Sequence, residues 1–273
     1  MIGIFTKSQL PADEFYHGGG LSKADLDLIH DNPYRYVNKG EHKPTRGEDI
    51  SVALRAALFE PEWFASKFVI LDGVESRSSA EYKKHAKLHG ANFVFTEKEG
   101  DSILGMFNSL MQSDDTIDAI GRTYETGVAL YGEHEGVTFK VRLHYLSEDG
   151  HSVYVKKAHS IGERELSNSV GHYRYHVLVA MAQDAYKQAT GKDMESFTFL
   201  CVEPEAPFMC RSVTLDDISI ELGRQEYQAD IAAYAGCQQA QSFGSPVCEP
   251  AIIGVPDYMF SGDDEMVFGE DEA

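Results

Sequence analysis

Positive charge is scarce in this chain of 273 residues: 24 lysines and arginines stand against 44 aspartates and glutamates, a formal net charge of −20 at pH 7. So acidic a surface repels nucleic acid over most of its area, which confines any DNA contact to a local site. Six acids crowd into the last eleven residues (Asp263, Asp264, Glu265, Glu270, Asp271, Glu272), and residues 1–260 still carry −14 without them. Cysteine is sparse as well. Cys201, Cys210, Cys237 and Cys248 lack the paired short spacings of zinc or iron–sulfur ligands and read as reduced, structural residues. No stretch of 18 apolar residues occurs, and the first twenty residues have no basic start leading into an apolar run. A cytoplasmic protein without a membrane span is the expectation. Repeats are absent, and the acidic end is the one biased tract.

What is there is ample core material, with 42% hydrophobic and 11% aromatic residues. Ser22 followed by Asp25, Leu26 and Ile29 predicts a capped helix that Asn32-Pro33 stops. Ile50 to Phe59 predicts a buried helix ended by Glu60-Pro61, with Trp63, Phe64 and Phe68 adding bulk to the same core. Arg77 to Lys87 reads as a solvated helix, Val94-Phe95 as the start of a new element, and Asp101 to Met111 as an amphipathic helix. From Gly127 the period becomes two: Val128, Leu130, Val137, Phe139, Val141 and Leu143 alternate with polar residues, an antiparallel pair turning at His134 to Gly136. A third strand is expected at Ser152 to Ala158, a helix over Ser169 to Thr190 closed by Gly191, and a strand covered on both faces at Phe197 to Val202. Leu215 to Ile220 predicts an edge strand or connection, and Glu221 to Gln239 a final helix. Residues 1–240 would then form one domain, and 241–273 a Pro- and Gly-containing segment with an acidic tail.

Antiparallel strands, then a helix, then another strand, are the order a metal-dependent nuclease uses to gather carboxylates at one sheet edge. Phosphodiester hydrolysis needs oxygen ligands for Mg²⁺, which activates water and neutralises the scissile phosphate. A lysine two residues from such a ligand shares its strand face.

Six fragments, in order, resemble the C-terminal nuclease domain of the exodeoxyribonuclease VIII family, phage-type exonucleases of the PDDEXK class, across roughly residues 13–238. They are EFYHGGGLSKADLDLIHDNPYRY, ALRAALFEPEWFASKFVI, YETGVALYGEHEGVTFKVRLHYL, VYVKKAHSI, GHYRYHVLVAMAQDAY and GRQEYQADIAAYAGC. The resemblance implies an α/β (α+β) fold with a restriction-endonuclease-like core, a mixed central sheet flanked by helices. It also implies Mg²⁺ or Mn²⁺ as cofactor, double-stranded DNA ends as substrate, a homo-oligomer, and a single-strand annealing protein as partner in phage or prophage recombination.

Residue by residue, the resemblance retains Glu125, which opens the strand pair eleven residues before Gly136, and Lys156 of the third strand. Tyr175 and His176 also survive on the following helix. Other positions have changed: Arg55 stands for the family's histidine, His144 for its first metal aspartate, Tyr154 for its second, and Leu178 for a glutamine. Glu125 is then the one metal ligand left, and Mg²⁺ affinity is expected to collapse. Three readings stand open. One is a pseudo-nuclease binding DNA ends or partners. Another is an active exonuclease with substituted ligands, where a softer ion would use Glu125, His144 and His151 or His176. The third is an acidic inhibitor or DNA mimic acting on a host DNA-processing enzyme. Lys140, Arg142, Lys156, Lys157 and Arg174 are expected either to form a basic patch or to balance nearby acids.

Overall fold

A computed structural model describes residues 2–247 and 250–254. Cys248 and the acidic tail at 263–273 lie outside the described residues. The chain opens with strand β1 (Gly3–Phe5), helix α1 (Ala12–His17) and the two-residue strand β2 (Leu21–Ser22). Ser22 caps α2 (Lys23–Asp31): its hydroxyl accepts the Asp25 backbone N–H while the Asp25 carboxylate accepts that of Ser22. Proline opens α3 (Pro33–Val37), where its missing N–H costs nothing. Thr45 and Glu48 form the same reciprocal cap on α4 (Arg46–Phe59), and Pro61 ends it by opening α5 (Pro61–Lys67). There follow β3 (Val69–Leu71), α6 (Ala80–His89), β4 (Val94–Thr96), α7 (Glu97–Leu110) and α8 (Asp114–Ile120), with β3 and β4 paired in parallel.

The alternating segment forms β5 (Tyr124–His134) and β6 (Val137–Ser147), reversed at Glu135 and Gly136, which both take the positive φ of a tight hairpin turn. Then come β7 (His151–Lys157), α9 (Glu163–His172), α10 (Tyr175–Thr190), β8 (Ser196–Val202), β9 (Cys210–Val213) and α11 (Asp217–Ala240). Among the described residues seven strands make a mixed sheet in the order β1-β5-β6-β7-β8-β9, with β2 against β6. β7 and β8 run parallel, so the chain crosses over between them through α9 and α10. One sheet face buries Val128, Leu130, Phe139, Val141, Phe197 and Phe199 under α10, including Val177, Ala180 and Met181. The other buries Tyr145, Val153, Val155 and Leu200 under Leu54 and Leu58 of α4 and Met106 and Leu110 of α7. Trp63, Phe64 and Phe68 pack with Ala53, Ala56, Phe95 and Ile103 in a separate cluster on the far side of α4.

Two expected elements are corrected. The single helix over Ser169 to Thr190 is two, broken where Arg174 adopts a left-handed φ of 50° and turns its side chain inward. The edge strand is Cys210–Val213 rather than Leu215 to Ile220; Asp216 accepts the Ser219 N–H as an N-cap, so the last helix starts four residues before Glu221.

Candidate functional site

β7 pairs with β6 only at Tyr145↔Val153 and Leu146↔Ser152, then diverges and runs with β8 over seven register pairs. Further along β6, the same edge is taken by β2 at Phe139 and Lys140. The edge of β6 between these contacts is therefore free of ladder partners, and the sheet forks there. At the fork the side-chain alternation of β6 slips. Val141, Leu143 and Leu146 all join the core under α10, while Tyr145 faces the opposite core. Opposite His144 stands Gly127, with φ +60°, flanked by the registered pairs Thr126↔Tyr145 and Val128↔Leu143. A Cβ on Gly127 would meet Arg142 Nη2 at 3.1 Å. Gly127→Ala is expected to lower stability by about 1–2 kcal/mol, read by urea unfolding, since it forces a left-handed backbone on an L side chain against a guanidinium.

His144 fills the fork. Its Nδ1 accepts the Val155 N–H at 3.2 Å, replacing the ladder bond that β6 no longer supplies. Its ring stacks on Tyr154 with centroids 3.6 Å apart and planes at 21°. Burial first, then the charges of Arg55 and Lys156, holds the imidazole well below its ordinary pKa, so it is neutral with its proton on Nε2. Burial pushes the Tyr154 phenol up, although Arg55 opposes this. Lys156 lies 4.9 Å from the Tyr154 ring centroid and 4.5 Å from that of Tyr175, which stacks on Phe199 and Tyr173. Burial, then Lys23 and Arg55, lowers Lys156 to about 8, with Cys201 acting the other way; burial raises the Cys201 thiol to about 11.

Arg55 comes from α4, on the opposite face, and its guanidinium has no hydrogen-bond or ion-pair partner among the described residues. Burial pushes its pKa down, with Tyr154, Tyr16 and Glu60 acting the other way. Arg142 lies over the Phe15 ring at 5.6 Å and reaches the Leu10 carbonyl at 3.5 Å; burial and Arg55 both lower it. Glu125, across from Leu146, is exposed, and its carboxylate has no partner among the described residues.

This donor set does not fit a hard divalent ion. Glu125 is its single carboxylate, His144 Nδ1 is already bonded to Val155, Tyr154 is a neutral stacked phenol, and Arg55 and Lys156 add positive charge. No group of three or more His, Cys, Asp or Glu converges as a metal site among the described residues. His151 and His176 do not join His144. His151 Nδ1 lies 2.7 Å from Ser196 Oγ and lines a cavity of about 270 Å³ with Asp118, Arg122 and Thr198. His176 is buried between Val170 O and Glu226 Oε1, each 3.3 Å away, where α10 and α11 meet so closely that a Cβ on Gly223 would lie 2.4 Å from His176 O. Leu178 belongs to the apolar core.

The expected basic patch is largely dismantled. Lys140 is buried and donates to Phe15 O and Gly18 O at 2.6 Å, tying down the turn before β2. Lys157 donates to Gly47 O at 2.6 Å, which anchors the start of α4. Arg174 is ion-paired with Asp27, Glu226 and Asp230 at 3.1, 3.0 and 2.7 Å. Sequence reasoning missed Lys23, which bonds Asp27 and the Tyr173 carbonyl beside the fork; its one signal was its place in the first resembling fragment. Arg55, Arg142 and Lys156 are the cations left at the fork.

A mixed sheet flanked by helices, forked beside a strand lysine, defines a nuclease-type fold, and this chain belongs to the family described as a PDDEXK-like domain of unknown function (DUF3799), whose model matches residues 38–251. Among solved structures it is similar to a proposed exonuclease from Eubacterium rectale, with a TM-score of 0.62 and 11% identity over 94% of this chain and 99% of that one. That likeness shows a common fold. SSO0001, 10% identical over 74% of this chain and 83% of that one, has a TM-score of 0.26 and carries no weight. No curated protein matches the chain. Among the described residues no helix is long and apolar enough to cross a membrane.

Proposed function

We propose that this protein is an exodeoxyribonuclease VIII-type member of its family, with residues 1–240 as the nuclease-fold unit, that binds duplex DNA ends without cutting them. The observation that carries this reading is the His144–Tyr154 stack, bonded through His144 to Val155, at the two positions where the resemblance puts metal aspartates. A metal cannot be gripped there without breaking that arrangement, and two neighbouring cations oppose it. Lys156 and Tyr175 keep the form of a phosphate-facing corner. Phage or prophage recombination, a homo-oligomer and a single-strand annealing partner are the setting this reading carries with it.

The test is incubation of pure protein with linear duplex DNA in Mg²⁺ and in Mn²⁺. The expected result is nucleotide release no greater than the protein-free blank. End-dependent digestion that stops in Glu125→Ala and Lys156→Ala would overturn the proposal in favour of a working nuclease with substituted ligands.

A further inference from the structure

Many cations of this acidic protein are neutralised, Lys7 by Glu60, Lys39 by Asp25 and Arg46 by Glu99 among them. Helix α6 differs. Between residues 76 and 96 the single acid is Glu81, in the company of Arg77, Lys83, Lys84 and Lys87. Tyr82 and Ala86 turn inward onto Leu71, Val74 and Val94, so the helical period sends Lys83, Lys84 and Lys87 outward on one continuous face, where all three are exposed. None of these ammonium groups has an ion-pair or hydrogen-bond partner among the described residues. Glu81, three residues before Lys84 and within helical reach of it, makes no ion pair with it.

The needs of the helix itself do not account for this face. Lys87 lies in the last turn and complements the helix dipole, but Lys83 and Lys84 stand in the middle, where the dipole is weak. The face is also held firmly. The Ser79 hydroxyl accepts the Tyr82 N–H at 3.1 Å, the Tyr82 hydroxyl donates to Val94 O at 3.2 Å, and Gly90, with φ +94°, closes the helix.

We infer that the outer face of α6 is a contact for the sugar-phosphate backbone of duplex DNA, held without regard to sequence by Lys83, Lys84 and Lys87. Charge complementarity selects this occupant: a polyanion repelled by the rest of the body can approach where acids are missing and free ammonium groups stand side by side. The expected patch at Lys140, Lys157 and Arg174 is consumed by internal bonds, which leaves α6 to supply this contact. The inference rests on the end-binding reading and adds a surface built on elements that contribute no residue to the fork.

The experiment is fluorescence anisotropy of a labelled blunt duplex with the full chain in EDTA, repeated over a series of salt concentrations. Combining Lys83→Gln, Lys84→Gln and Lys87→Gln is expected to weaken binding about tenfold and to lower the slope of log affinity against log salt by about 2–3, since each lost phosphate contact removes about 0.9. Combining Lys43→Gln, Arg164→Gln and Lys192→Gln changes the net charge equally through exposed cations elsewhere, and should leave the slope unchanged. Replacing the three α6 lysines by arginine should keep both affinity and slope. Melting curves confirm that each variant is folded. An unchanged slope in the α6 glutamine variant would overturn the α6 contact alone, as would an equal fall in both glutamine variants, which would make the effect one of net charge. Closed circular duplex competing as well as linear duplex, with the α6 variant still weakened, would overturn the end-binding reading and support the α6 contact. Failure of the unsubstituted protein to bind duplex at any salt would overturn both.

Discussion

Arg174→Ala is expected to lower stability by about 3–5 kcal/mol, the scale for removing one partner of a buried ion network. The guanidinium bonds Asp27 of α2 and both Glu226 and Asp230 of α11, while its own backbone joins α9 to α10. His30 adds a contact to Asp230 at 2.9 Å, and Lys23 one to Asp27. Without Arg174, Asp230, whose side chain is 6% exposed, keeps only His30 among the described residues. The left-handed backbone at Arg174 also loses the interaction that holds it. Urea unfolding measures the loss. Its pH dependence has a definite sign. Arg174 and His176 hold Glu226 below the usual carboxylate range against burial, so that contribution is present at neutral pH and is lost as pH falls through the lowered value. The variant lacks the Arg174 part of that contribution, so the gap to the unsubstituted protein should narrow on acidification. A loss below about 1 kcal/mol would mean that water solvates these carboxylates well enough to make the network incidental.

Combining Arg55→His, His144→Asp and Tyr154→Asp is expected to create a Mn²⁺ site with a Kd of about 0.1 mM, read by calorimetry. Two carboxylates would replace a stacked pair of neutral rings at the positions where the resemblance puts metal aspartates, and the guanidinium that repels a cation would be gone. The double variant His144→Asp with Tyr154→Asp should bind at least about tenfold more weakly, because Arg55 and Lys156 would claim the new carboxylates as ion-pair partners. Equal, undetectable binding by both variants would show that these positions and Glu125 do not share one coordination corner.

The long elements were legible in the sequence because local chemistry specifies them. Ser22 with Asp25 wrote the start of α2, Glu60-Pro61 the end of α4, and the alternation from Val137 to Leu143 the strand β6. β1, β2 and β3 were not, since two or three residues cannot display a period. The break at Arg174 escaped notice because the apolar spacing on either side of it is helical, and its cause lies 147 residues away at Asp27 and 56 away at Asp230. The site divides in the same way. The resemblance supplied positions, and the fold brings Arg55, His144, Tyr154, Lys156 and Tyr175 to one fork. What those side chains do there depends on a slip in alternation at His144 and Gly127, and strict period-two reasoning along β6 would place His144 on the face opposite Tyr154. Spacing likewise did not distinguish Lys140 and Arg174, which are consumed by internal bonds, from Arg55 and Lys156, which are not.

The most direct measurement is an anomalous difference map from crystals of the unsubstituted protein soaked in Mn²⁺. The expected map has no peak between Glu125, His144 and Tyr154, whatever ions collect on the acidic surface. A strong peak there, with His144 rotated off Val155 and Tyr154 displaced from its stack, would contradict the replacement of the metal aspartates by a stacked, bonded pair of neutral rings.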